Sequence, residues 1–132
     1  MKRHMFKFKK FPRYKQHDQM DCAPSCLKII SQFYGKNFSL DYLRTLCHTN
    51  RMGTSLLSLS EAAAELGFKA EGLRLSFDVL EEQNQFPFIA YWQQKHFTVV
   101  YKIKNDKVFV SDPSHGLLTY SKKEFLENWS TD

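Results

Sequence analysis

Cys22, His96 and Asp112 are side chains whose types and order could carry out nucleophilic chemistry. Cys22 stands where a polar stretch gives way to a helical apolar pattern at Leu27, Ile29, Ile30, Phe33 and Tyr34. A cysteine at a helix start meets unpaired backbone N–H groups and the positive end of the helix dipole, which favour the thiolate nucleophile. Such a nucleophile needs a base. His96 opens a β-branched and aromatic run, and Asp112 closes the next one. The chain order Cys, His, Asp then supplies a nucleophile, a base and an orienting group. Gln16 lies six residues before Cys22, so a loop can fold its amide back beside the sulfur.

Competing chemistries fit less well. Cys22 and Cys26 with His17 or His48 make a zinc ligand set on paper, but the spacing is wrong and a second cysteine pair is missing. Cys26 and Cys47 lie on apolar helix faces and read as core. His115 is a rival base, but it follows a turn and precedes Gly116, which reads as loop.

The elements around these residues divide by period. Residues 1–15 form a basic arm, whose residues 6–11 alternate loosely as a short extended segment, and residues 16–67 a helical half. Gly35 stops the Cys22 helix. Ser39 caps a helix over Leu40–Cys47, and Ser58 is expected to cap another over Leu59–Leu66, with Glu61 completing a capping box and Gly67 ending it. Residues 68–132 form the sheet half. Strands are predicted over Phe68–Leu75, Phe86–Gln93 (central in the sheet), His96–Ile103, Lys107–Ser111 and Leu117–Tyr120. Short helices are predicted over Ser76–Gln83 and Lys122–Trp129, the last capped by Ser121 with Phe125 inward. Lys104–Asp106 reads as a tight turn, so the His96 and Lys107 strands should pair antiparallel and bring His96 near Asp112. Helices first and a mostly antiparallel sheet second is an α+β fold of one domain, with the site in a cleft between its halves.

Composition narrows the class. A chain of 132 residues that is 42% hydrophobic, with twelve Phe, can bury one core. Three cysteines form no disulfide framework and suit a reducing compartment. The longest apolar run, 86–92, is too short to span a bilayer, and the first residues lack the apolar core of a secretory signal. The net charge of +5 is concentrated in residues 1–15, which hold seven Lys or Arg and no acid. Phe6, Phe8, Phe11 and Tyr14 interleave that arm, a pattern shared with nucleic-acid and anionic-membrane binders. We read it as a solvated, lysine-protected edge whose aromatic rings pack on the domain, and expect no nucleic-acid partner.

Gln16, the Asp21–Cys22 pair, the helix running to Tyr34 and Gly35, His96 with its strand, and Asp112–Pro113 together resemble the N-terminal peptidase domain of bacteriocin- and peptide-exporting ABC transporters. The resemblance covers almost the whole chain. It implies a papain-like fold, with a helical lobe packed on the sheet, and a cysteine endopeptidase that removes leader peptides after a Gly-Gly pair. It implies Cys22 as nucleophile, His96 as base, Asp112 as orienter and Gln16 as oxyanion donor. The runner-up is a peptidase-like domain that only docks cargo. The partners implied are the leader peptide and the membrane and nucleotide-binding domains of a transporter, at the cytoplasmic side of the membrane. No cofactor is implied for this domain; ATP belongs to the transporter. The leader would dock as an amphipathic helix, with exposed members of Leu56, Leu57, Leu59, Phe77, Leu80 and Tyr101 as candidate contacts. The family usually has glycine after the cysteine, where this chain has Ala23, so a methyl group is expected near the oxyanion site.

Overall fold

The computed structural model describes residues 10–70, 76–93 and 95–129. A short 3-10 turn, Gln19–Asp21, runs straight into helix α1, Cys22–Phe33. The helix is buried without a break from Cys22 to Leu27 and again at Ile29, Ile30 and Ser31. Gly35, at φ +81°, supplies the left-handed residue that turns the chain out of the helix. Helix α2, Leu40–Cys47, is capped by the Ser39 hydroxyl, which accepts the Tyr42 N–H. It turns Leu43 and Cys47 against α1, in a cluster shared with Leu59 and Ala62 of α3.

Helix α3, Leu56–Glu65, begins three residues before the predicted Leu59. Ser55 is the cap, and Ser58 instead lends it an N–H, so the Ser58–Glu61 capping box does not form. The extra residues Leu56 and Leu57 point to solvent, so the apolar period held no sign of them. Gly67 ends the helix as expected, at φ +92°. Of the strand predicted over Phe68–Leu75, residues 68–70 have no strand pairing and residues 71–75 lie outside the described residues. Helix α4, Phe77–Gln83, follows with Ser76 as its cap.

Four strands, β1 (Phe88–Trp92), β2 (His96–Lys104), β3 (Lys107–Asp112) and β4 (Gly116–Ser121), form an antiparallel sheet in chain order. Among the described residues β1 therefore lies at an edge, not at the centre as predicted from its apolar run. Its composition reflects cover on both faces. Ile89 and Tyr91 pack against the helical cluster, while Ala90 and Trp92 join a second cluster with Phe77 and Phe125. Strand β2 is likewise buried on both sides, with Phe97 and Val99 in the first cluster and Val100 in the second.

Between β2 and β3 the loop narrows to Asn105 and Asp106, both at positive φ, the two-residue turn whose twist suits a hairpin. The ladder passes from Val100↔Val110 to Lys102↔Phe109, which leaves Tyr101 as an extra residue in a bulge. Helix α5, Lys122–Asn128, starts on a complete capping box between Ser121 and Glu124 and buries Phe125 fully. Trp129, predicted as helical, is extended and bridges to Trp92.

The short extended segment predicted over residues 6–11, with Phe6 and Phe8, falls largely outside the described residues. Phe11 stacks on Tyr101 with ring centroids 4.2 Å apart, and Tyr14 packs against the helical cluster. The described part of the arm therefore lies on the domain. Among the described residues no helix is long and apolar enough to cross a membrane.

Truncating Phe125 to Ala removes a fully buried ring and should cost about 3–5 kcal/mol in urea unfolding. Leu57→Ala, at an exposed position on α3, should stay within about 0.5 kcal/mol of the parent.

Candidate active site

Three elements converge on one point. The 3-10 turn, held by the Asp18 carboxylate accepting the Met20 N–H at 3.0 Å, delivers Cys22 as the first residue of α1. The hairpin register brings the start of β2 beside the end of β3. His96 Nε2 lies 3.2 Å from Asp112 Oδ1, and Cys22 is close enough to the imidazole to help raise its pKa. The structure thus brings together Cys22, His96 and Asp112, separated by up to ninety residues of sequence. All three are largely enclosed: Cys22 is 7% exposed, and the His96 and Asp112 side chains 19% and 4%.

Burial works against a charge on His96. The hydrogen bonds to Asp112 and Cys22, and the negative charge of both, outweigh it and raise its pKa to about 9. The Asp112 carboxyl responds in the opposite sense. Burial alone would raise it, but hydrogen bonds from His96 and from the Ser114 N–H, with nearby imidazole charge, hold it below the usual carboxylate range. Asp112 thus keeps its charge and pins the imidazole by one nitrogen, leaving the other for sulfur.

Gln16 is tied to the same corner. Its backbone N–H donates to Pro113 O at 2.8 Å, which fixes it beside the end of β3. Its side-chain Nε2 donates to Asp18 O at 2.9 Å, while Oε1 is buried without a partner. The remaining amide proton is left for another acceptor.

The neighbouring cysteines are packing residues. Burial pushes the Cys26 thiol well up, and the Cys47 thiol up to about 12. His48 is the left-handed cap of α2, and His17 stacks on Tyr14, so the two histidines of the zinc reading serve other ends. Ala23 is fully buried in the helical cluster that also contains Cys22. Of the candidate docking residues, Leu59 and Phe77 are buried and Tyr101 lies under Phe11, whereas Leu56 and Leu57 are exposed.

Sequence reasoning missed two contacts. The Ser114 N–H donates to Asp112 Oδ1 at 2.7 Å, and His115 Nδ1 lies 3.6 Å from the same oxygen. The first was legible as an Asx turn, since aspartate commonly accepts from the amide two residues on. The second places His115 beside the Asp112 carboxylate, with a side chain 70% exposed. It was read only as a loop residue or a rival base.

Residues 10–132 match the model of the Peptidase C39 family. The lactococcin-A transport/processing ATP-binding protein of Lactococcus lactis subsp. lactis is 35% identical over 131 residues, which is 94% of this chain and 18% of the relative. The lactococcin-G-processing and transport ATP-binding protein of the same organism is 30% identical over 120 residues, 87% of this chain and 17% of the relative. The chain therefore spans under a fifth of the curated relatives it matches. Among solved structures, a double glycine motif protease from an AMS/PCAT transporter, in complex with the leader peptide, superposes with TM-score 0.88 at 27% identity, covering 92% of this chain and 87% of the other. The peptidase domain of Streptococcus ComA, a bi-functional ABC transporter involved in quorum sensing, superposes at 0.85 with 31% identity, covering 92% and 94%. The α+β arrangement of helices on an antiparallel sheet is the fold of those peptidase domains. By sequence and fold together, this chain belongs to the Peptidase C39 family of cysteine peptidases.

Proposed function

We propose that the chain is a cysteine endopeptidase domain that removes the leader of an exported peptide after a Gly-Gly pair, through Cys22, His96 and Asp112. The observation that carries this reading is the His96 imidazole held 3.2 Å from Asp112, with Cys22 close enough to raise its pKa. The Cys22 sulfur attacks the carbonyl carbon of the second glycine. The oxyanion that forms is met by the Cys22 N–H and the Gln16 side-chain amide. His96 gives its proton to the departing amine, and the leader remains as a thioester on sulfur. Water, deprotonated by His96, then attacks the thioester, releasing the leader acid and restoring the thiol.

Glycine at the cut site suits the enclosure of the nucleophile. With Cys22 so little exposed, a substrate side chain next to the scissile bond would have to displace packed groups. The exposed Leu56 and Leu57 of α3 offer apolar contacts at which an amphipathic leader helix would dock. Two relatives are named as transport and processing proteins, which supports placing the reaction beside an ABC transporter, at the cytoplasmic side of the membrane.

Incubation with a synthetic leader–Gly-Gly–core peptide should give one cut after the second glycine, read by mass spectrometry. Cys22→Ala should lose about 10⁴-fold or more in rate, and Gln16→Ala about 100- to 1000-fold. Binding of the peptide without cleavage by the parent would replace this reading with cargo docking. His96 must carry a proton to expel the amine, so kcat/KM should fall as pH rises through about 9. In Asp112→Asn, which removes a partner that raises the imidazole, that limb should move down towards the ordinary 6.5. Iodoacetamide should modify Cys22 well before the fully buried Cys26 and Cys47, as judged by peptide mapping.

A further inference from the structure

Asp21 immediately precedes Cys22 and stands at the N-cap of α1, yet its side chain makes no hydrogen bond to that helix. An N-cap aspartate ordinarily turns its carboxylate onto the amides of the second and third helical residues. Here the third is Pro24, which has no N–H. The carboxylate, 3% exposed, is held instead by Arg44 of α2. Arg44 Nε donates to Asp21 Oδ1 at 3.0 Å, and one terminal nitrogen donates to Oδ2. The other terminal nitrogen donates to the exposed Asp41 at 3.2 Å. A two-pronged pair of this kind fixes direction as well as distance.

An unheld carboxylate at this place would act against the chemistry in two ways. Its charge would oppose a thiolate on the adjacent residue, and its oxygens would compete for the amides at the start of α1. We infer that Arg44 is a positioning residue for peptide cleavage: it draws the Asp21 carboxylate off the first turn of α1 and neutralises it, leaving the helix end to the Cys22 sulfur. The inference rests on Cys22 as the nucleophile. It places a required cation on a helix that supplies none of the residues proposed to react. It also gives the Asp21–Cys22 pairing a reason, since the pair works only with Arg44 opposite.

The test compares Arg44→Gln with the double variant Arg44→Gln/Asp21→Asn, in which two neutral amides take the place of the ion pair. Arg44→Gln should slow alkylation of Cys22 by iodoacetamide at neutral pH, and lower kcat for the leader–Gly-Gly–core peptide, by roughly three- to thirtyfold, with KM within about twofold. The double variant should regain most of both rates, because the stray charge is gone. A contact that only held α2 on α1 would shift the unfolding midpoint in both variants and leave the alkylation rate of the folded protein alone. Parent-like rates in Arg44→Gln, or no recovery in the double variant, would overturn the inference. Should Arg44→Gln fail to fold, Arg44→Lys keeps the charge but loses the two-pronged grip, and the same comparison applies with a smaller deficit. Cleavage surviving in Cys22→Ala would instead remove the proposed function, so the two failures are told apart.

Discussion

The contact between His96 and Asp112 exists because β2 and β3 are locked in one register. Side chains alternate across a sheet, so a slip of one residue would carry Asp112 to the opposite face and leave the imidazole without its carboxylate partner. Two features prevent the slip. At one end, Asn105 and Asp106 adopt the left-handed conformations that a two-residue turn requires. Along the strands, Val99, Val100, Val108 and Val110 are fully buried, so any shift would expose apolar surface and bury polar groups. The chemistry of the site is in this sense a property of hairpin pairing.

The helix side supplies the complement. Helix α1 is gripped along its buried face by α2, α3 and the inner face of β2, which leaves its first residue little freedom to move away from β2. Around that residue the charged groups come in opposite pairs, Asp112 with His96 and Asp21 with Arg44. Pairing is what permits so many ionisable groups in a largely enclosed space, because an isolated buried charge is strongly unfavourable. The same arrangement leaves the sulfur between a cationic imidazole and a helix start whose own acid is turned elsewhere.

Much of this was legible in the sequence, for local reasons. Gly35, Ser39 and Ser121 mark helix boundaries through capping chemistry, which depends on a few adjacent residues. The β2–β3 hairpin followed from its turn residues and β-branched strands, and that pairing alone predicted the meeting of His96 and Asp112. What was not legible depends on the third dimension. The early start of α3 rests on two leucines that face solvent and so break the expected burial pattern. The edge position of β1 was hidden because cover on both faces gives an edge strand the composition of a central one. The grip of Arg44 on Asp21 links positions 23 residues apart on different helices, which no local period encodes.

The extra residue at Tyr101 sits between the hairpin tip and the end that carries His96 and Asp112. It divides one ladder into two segments that are individually in phase but offset from each other. Removing Tyr101 would force the two into a single phase, and only one of them could then keep its present partners. The tip and the His96–Asp112 end are for that reason geometrically decoupled: strain, added length or a bulky graft at Asn105–Asp106 can be absorbed at this joint before it is felt by the imidazole.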